Sequence, residues 1–123
     1  MAIRAGALID VADFADGGWV TLTLLTGFAG TLAARRRGDQ VTVRGLVTPS
    51  TNWGAVGTDN TICNSVPSDL IPPTPFVGIM ASAAASPAMT IFRVGSNGAS
   101  IGVRCGTATH TSGVYINYDY LGN

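Results

Sequence analysis

Between Gly38 and Val47 the chain reads Gly-Asp-Gln-Val-Thr-Val-Arg-Gly-Leu-Val, and this stretch limits the possible folds more than any other. A turn at Gly38-Asp39 is followed by alternation, with Val41, Val43, Gly45 and Val47 on one side and Thr42, Arg44 and Leu46 on the other. That period of two belongs to a strand with one buried face. The flanking segments 19–25 and 30–36 can pair with it as preceding strands, whereas 48–60, rich in Pro, Ser, Asn and Gly, cannot continue it. The chain therefore returns on itself in strands, and one long loop leaves the sheet.

The rest of the chain keeps this rhythm. Trp19 to Leu25 predicts a first strand, with Val20, Leu22 and Leu24 facing one way and Trp19, Thr21 and Thr23 the other. Thr26 to Gly30 is the turn, Thr31 to Arg36 returns, and Gln40 to Val47 makes the third strand of a meander. Thr61 to Cys63 predicts a brief strand, and Pro72-Pro73, unable to donate to a ladder, belongs at an edge or between sheets. Phe76 to Ala81 resumes a strand, which Ala83 to Pro87 breaks. Ala88 to Val94, Ser100 to Cys105 and Val114 to Leu121 complete the series, the first two joined at Ser96-Asn97-Gly98, where Asn-Gly is a strong hairpin signal. Seven or eight strands of this kind predict an all-β chain, a single antiparallel β-sandwich of jelly-roll-like form. The domain spans 19–123 behind a lead-in segment, 1–18.

Composition narrows the partners. Only 11% of the 123 residues are charged, against about a quarter in an average soluble domain, so part of the outside is expected to be covered by another subunit. Seven basic and seven acidic residues cancel, whereas a nucleic-acid binder needs a basic excess to neutralise phosphates. Arg35-Arg36-Arg37 reads as a solvated strand end. The uncharged run from Trp19 to Ala34 is shorter than the ~20 residues a bilayer requires, so no membrane insertion is expected. Asp10 interrupts the apolar start, which argues against a cleaved signal peptide and for synthesis in a cytoplasm. Cys63 and Cys105 are too few for a zinc site unless His110 and a carboxylate join them, so no metal and no cofactor is expected. A bridge between them would close a loop of about 40 residues and add ~3 to 4 kcal/mol; two buried free thiols are the other reading.

Catalytic chemistry finds little to use. His110 is the single histidine, glutamate is absent, and Asp59, Asp69 and Asp119 lie in separate segments, so neither a nucleophile with its base nor a glycosidase carboxylate pair is spelled out. No enzyme is expected. Aromatic residues in polar loops are a better lead, since a sugar offers an apolar C–H face and a rim of hydroxyls. Trp53 with Asn52, Asp59 and Asn60, and His110 with Tyr115, supply the residue types of a saccharide site. The other reading folds Trp53 back as a lid on the sandwich end and leaves the tyrosines to sheet packing.

Taken in order, Trp19 with Leu22 and Leu24, Gly27-Phe28, Arg35-Arg36 before Gly38-Asp39-Gln40-Val41-Thr42-Val43-Arg44-Gly45, Val66-Pro67, Pro72-Pro73 and Val114-Tyr-Ile-Asn-Tyr-Asp-Tyr-Leu121 resemble the C-terminal β-sandwich domain of bacteriophage tail-fibre, baseplate and minor tail proteins. The resemblance covers residues 19 to 121 and departs in Val66-Pro67, where a Leu-Pro is usual, and in the loop 48–60. It implies a homotrimeric head in the virion, beside other tail proteins, that attaches to a host cell-surface saccharide. A trimerisation knob with no ligand is the alternative it leaves open.

Overall fold

The computed structural model of the chain describes residues 18–82, 91–106 and 110–122. They form eight strands, β1 (Val20–Thr21), β2 (Phe28–Arg37), β3 (Gln40–Pro49), β4 (Asp59–Cys63), β5 (Phe76–Ala81), β6 (Ile91–Asn97), β7 (Ser100–Cys105) and β8 (Val114–Leu121). Two antiparallel four-stranded sheets result, ordered β1-β2-β3-β8 and β4-β7-β6-β5. The expected β-sandwich is thus formed. Its jelly-roll likeness lies in nested pairing, β3 with β8, β4 with β7 and β5 with β6.

Alternation decides which side chains meet between the sheets. On β3, Val41, Val43 and Val47 are buried while Thr42 and Arg44 point outward. Strand β7 buries Ile101, Val103 and Cys105, and β8 buries Val114, Ile116 and Tyr118. Each aliphatic side chain so placed contributes about 1.5–3 kcal/mol. One polar link crosses this core, where the Ser96 and Tyr118 hydroxyls lie 2.7 Å apart. Cys63 and Cys105 are both buried as thiols.

The first strand is shorter than its pattern suggests. Only Val20–Thr21 joins the ladder. Leu22 N–H still donates to Leu32 C=O, but Leu25 N–H donates to Ile62 C=O in the other sheet, both at 2.8 Å. This segment therefore ties the two sheets together along the β1/β4 margin. Alternation sets the direction of side chains, not the partner of the backbone, so a crossing segment and a strand look alike in sequence. The opposite margin is closed by a bridge between Ser82 and Val114. Trp19, 43% exposed, lies outside the core and packs under Arg35, whose guanidinium is 4.7 Å from its ring centre, a cation–π contact. Strand β2 begins at Phe28 rather than Thr31, because the turn needs only Thr26 and Gly27.

Two tight hairpins shape the rest. Arg37 pairs with Gln40 around Gly38-Asp39, and Asn97 pairs with Ser100 around Gly98-Ala99. Gly38 and Gly98 have φ of 58° and 59°, the left-handed region glycine tolerates. The second turn sits one residue later than the Asn97-Gly98 reading, since Gly rather than Asn takes its first central position. Residues 64–75 carry the chain from one margin of the second sheet to the other through one turn of 3-10 helix at Ser68–Leu70, with Pro72-Pro73 following it. They pass the end of the first sheet, where Arg36 Nη1 donates to Asp69 C=O at 2.8 Å and the Tyr120 hydroxyl to Leu70 C=O. The lead-in up to residue 17, the break at 83–87 and the expected strand start at 88–90 lie outside the described residues.

Candidate binding site

The loop after β3 folds inward. Asn52 Oδ1 accepts from Gly54 N–H at 2.7 Å, a side-chain turn that reverses the chain and directs Trp53 beneath it. Trp53 is 0% exposed. Its ring stacks on Phe28 with centroids 5.7 Å apart and meets Phe92 edge-on at 5.4 Å. Its Nε1–H donates to Ser112 C=O at 2.8 Å and its backbone N–H to His110 C=O at 3.0 Å. Asn60 Nδ2 holds the loop from below, donating to Trp53 C=O at 2.9 Å and Val103 C=O at 3.2 Å. His110 Nε2 lies 3.1 Å from the Ser82 hydroxyl.

Four of the six residues expected at a saccharide site, Asn52, Trp53, Asn60 and His110, are thus brought together, but as a structural hub joining the β3–β4 loop to the approach to β8. The lid reading of Trp53 holds; a buried indole has no face for a sugar. Tyr115, 56% exposed, stands on the outer face of the first sheet opposite Leu46. Asp59 points out of the other sheet, so the six do not share one site. Asn60→Ala strips a donor from the Trp53, Thr58 and Val103 carbonyls and is expected to cost about 1–3 kcal/mol, read as a lowered urea midpoint with unchanged slope.

A different constellation forms around Asp59. On the outer face of the β4-β7-β6-β5 sheet, register aligns Asp59, Arg104, Arg93 and Ile79 in one row and Thr61, Gly102, Gly95 and Val77 in the next. Asn97 and Ser100 close the far end. The two central strands carry no side chain in the middle row, so the face is hollow. The depression has two adjoining parts sharing Val77, Arg93 and Arg104. A polar part of about 370 Å³ runs from Asp59 and Thr61 to Asn97 and Ser100. An apolar part of about 470 Å³ lies against Val56, Val77 and Ile79. Saccharide and small-ligand sites combine these two characters.

Asp59 binds Arg104 through both oxygens, Nε to Oδ1 at 2.8 Å and Nη2 to Oδ2 at 2.7 Å. These bonds, together with the charges of Arg104 and Arg93, hold the Asp59 carboxyl below the usual carboxylate range. A lowered folded value means that the pair helps stability above the unfolded aspartate range and that this help is lost as pH falls through the folded value. Carboxyl NMR titration should therefore place Asp59 below ~3.9, and Arg104→Gln should return it toward that figure.

Most of this groove is not anticipated from sequence, yet a signal exists. Arg93-Val-Gly-Ser-Asn97 and Ser100-Ile-Gly-Val-Arg104 are near mirror images about the Gly98-Ala99 turn. A two-residue hairpin must set Arg against Arg and Gly against Gly.

Comparison with known proteins bears on the fold. Neither known protein families nor curated proteins yield a match by sequence. Among solved structures, the chain is similar to the crystal structure of the head domain of phage bIL170, reported in the context of a common fold for the receptor-binding domains of lactococcal phages. The TM-score is 0.70 over 86% of this chain and 98% of that one, at 15% identity. The fold is that of a phage receptor-binding head domain. Within this head-domain fold the hollow face belongs wholly to the second sheet, whereas the first sheet's outer face is filled by cross-strand contacts such as Thr42 Oγ1 to Asp119 Oδ1 at 2.6 Å and Arg44 Nε to Asn117 Oδ1 at 3.3 Å. No helix among the described residues is long and apolar enough to cross a membrane.

Proposed function

We propose that this chain is the receptor-binding head of a phage tail fibre or baseplate, carried in the virion beside other tail proteins, and that it holds a host cell-surface saccharide in the groove of the second sheet. The observation that carries the reading is the likeness to nearly the whole of a phage head domain. The groove supports it with chemistry suited to sugars: hydroxyl and amide groups from Thr61, Ser100 and Asn97 beside the apolar Val77 and Ile79. It suits holding better than cleaving, because its one carboxylate is committed to Arg104 and glycoside hydrolysis uses two. Homotrimerisation belongs to the same reading, since the low charge fraction favours a partly covered surface and three linked sites multiply a weak contact.

Fluorescently labelled protein applied to a glycan array and to a panel of bacterial strains tests this. Retention that disappears when surface polysaccharide is stripped is the expected result; retention indifferent to stripping, or none at all, overturns it. Light scattering should give three times the 12.6 kDa chain. A trimer that retains no cells or saccharides would instead favour a structural knob.

A further inference from the structure

The two arginines of the groove are an anomaly in sheet energetics. Arg93 and Arg104 are directly opposite on β6 and β7, and like charges in that position destabilise a sheet. Asp59 neutralises Arg104 from the other side. Among the described residues no carboxylate pairs with Arg93, which is exposed. The row therefore holds two cations and one anion, in a chain with only seven arginines and no lysine. Arg93, the second cation of that row, lines both parts of the groove, beside the glycine floor and in reach of solvent.

We infer that the groove takes a saccharide bearing an oxyanion, with Arg93 as its counter-charge, Arg104 held ready by Asp59, and Asn97 and Ser100 meeting hydroxyls. This rests on reading the groove as the receptor site. The planar fork of a guanidinium pairs with the two oxygens of a carboxylate or a phosphate, and a ligand that supplies the missing negative charge relieves the Arg93–Arg104 repulsion on binding. Floor and charge fit together: bare glycines let a sugar ring approach the sheet, so the anion can reach a side chain rooted in the same surface.

Calorimetric titration of the intact chain with an oligogalacturonate and with an oligomer of glycerol phosphate, each beside a neutral counterpart (the methyl-esterified oligogalacturonate and a maltooligosaccharide), tests this. One anionic oligomer should bind at least roughly tenfold more tightly than its neutral counterpart, the worth of one charge-assisted contact, and which one binds separates carboxylate from phosphate. Arg93→Gln should remove that preference, Arg93→Lys should keep part of it, and added salt should weaken it. The thermal midpoint of Arg93→Gln should be equal to or above that of the parent, which excludes misfolding. Equal binding of neutral oligomers, an unchanged preference in Arg93→Gln, or no binding of either anion overturns the inference. The cell assay keeps the two readings apart. Retention on cells that survives both Arg93→Gln and excess anionic oligomer overturns the oxyanion alone, whereas anion binding without retention on any strain overturns the receptor role alone.

Discussion

Replacing Trp53 with alanine is expected to destabilise the domain by about 3–5 kcal/mol, the range for losing a large buried aromatic. The ring is fully buried between Phe28 and Phe92, and its removal also leaves Ser112 C=O without its donor. Domains of this size are stable by only about 5–15 kcal/mol, so the variant should unfold roughly 10–20 °C earlier. Trp53→Phe keeps an aromatic surface but not the indole N–H, and should fall between alanine and the parent. The check is calorimetric unfolding. A Trp53→Ala protein with an unchanged midpoint would mean that the indole is not the pin joining the two loops. Under the hub reading, saccharide binding by Trp53→Phe is unaffected wherever the protein remains folded.

The second large effect is expected at Gly102, and in the opposite quantity. A Cβ built there meets only Asn60 C=O, at 3.7 Å, and Gly102 is absent from the glycines with positive φ. Valine therefore suits the backbone, and strands favour it. Gly102→Val should leave the unfolding midpoint within a few degrees. It also plants a branched side chain on the floor of the hollow, across from Gly95, so saccharide or cell binding should fall by at least roughly tenfold, the cost of about 1.4 kcal/mol. Binding equal to the parent would place the receptor site elsewhere on the domain. Gly95 is the poorer probe, because a Cβ there stands 2.6 Å from Phe76 C=O and the backbone would have to shift.

These two residues show where sequence reasoning succeeds and where it stops. The strands are legible because burial of one face imposes a period of two on Val41-Val43, on Ile101-Val103-Cys105 and on Val114-Ile116-Tyr118, whatever their partners. Partnership is not encoded locally, which is why 22–25 reads as plain strand although it passes from one sheet to the other. Trp53 is ambiguous for a similar reason. A tryptophan among Asn, Gly and Thr looks the same whether its ring faces water or core, and the residues that decide it, Phe28 and Phe92, lie far away in the chain. The candidate site is hidden because its defining feature is an absence of side chains. Gly95 and Gly102 read as weak strand positions until their register shows them side by side. Of the six residues expected for sugar contact, Asp59 alone reaches the groove, and the arginines beside it are visible only through the mirror symmetry of the hairpin.

The stitching at the two margins of the sandwich matters for crowding. An open strand edge is a template for indiscriminate pairing with whatever chain drifts past. Here Leu25 occupies backbone on β4, and Ser82 meets Val114 where β5 approaches β8. In the trimer proposed above, copies would stand flank to flank without merging into one continuous ladder. In that assembly, contacts between neighbours would fall to side chains on faces and ends rather than to strand backbone.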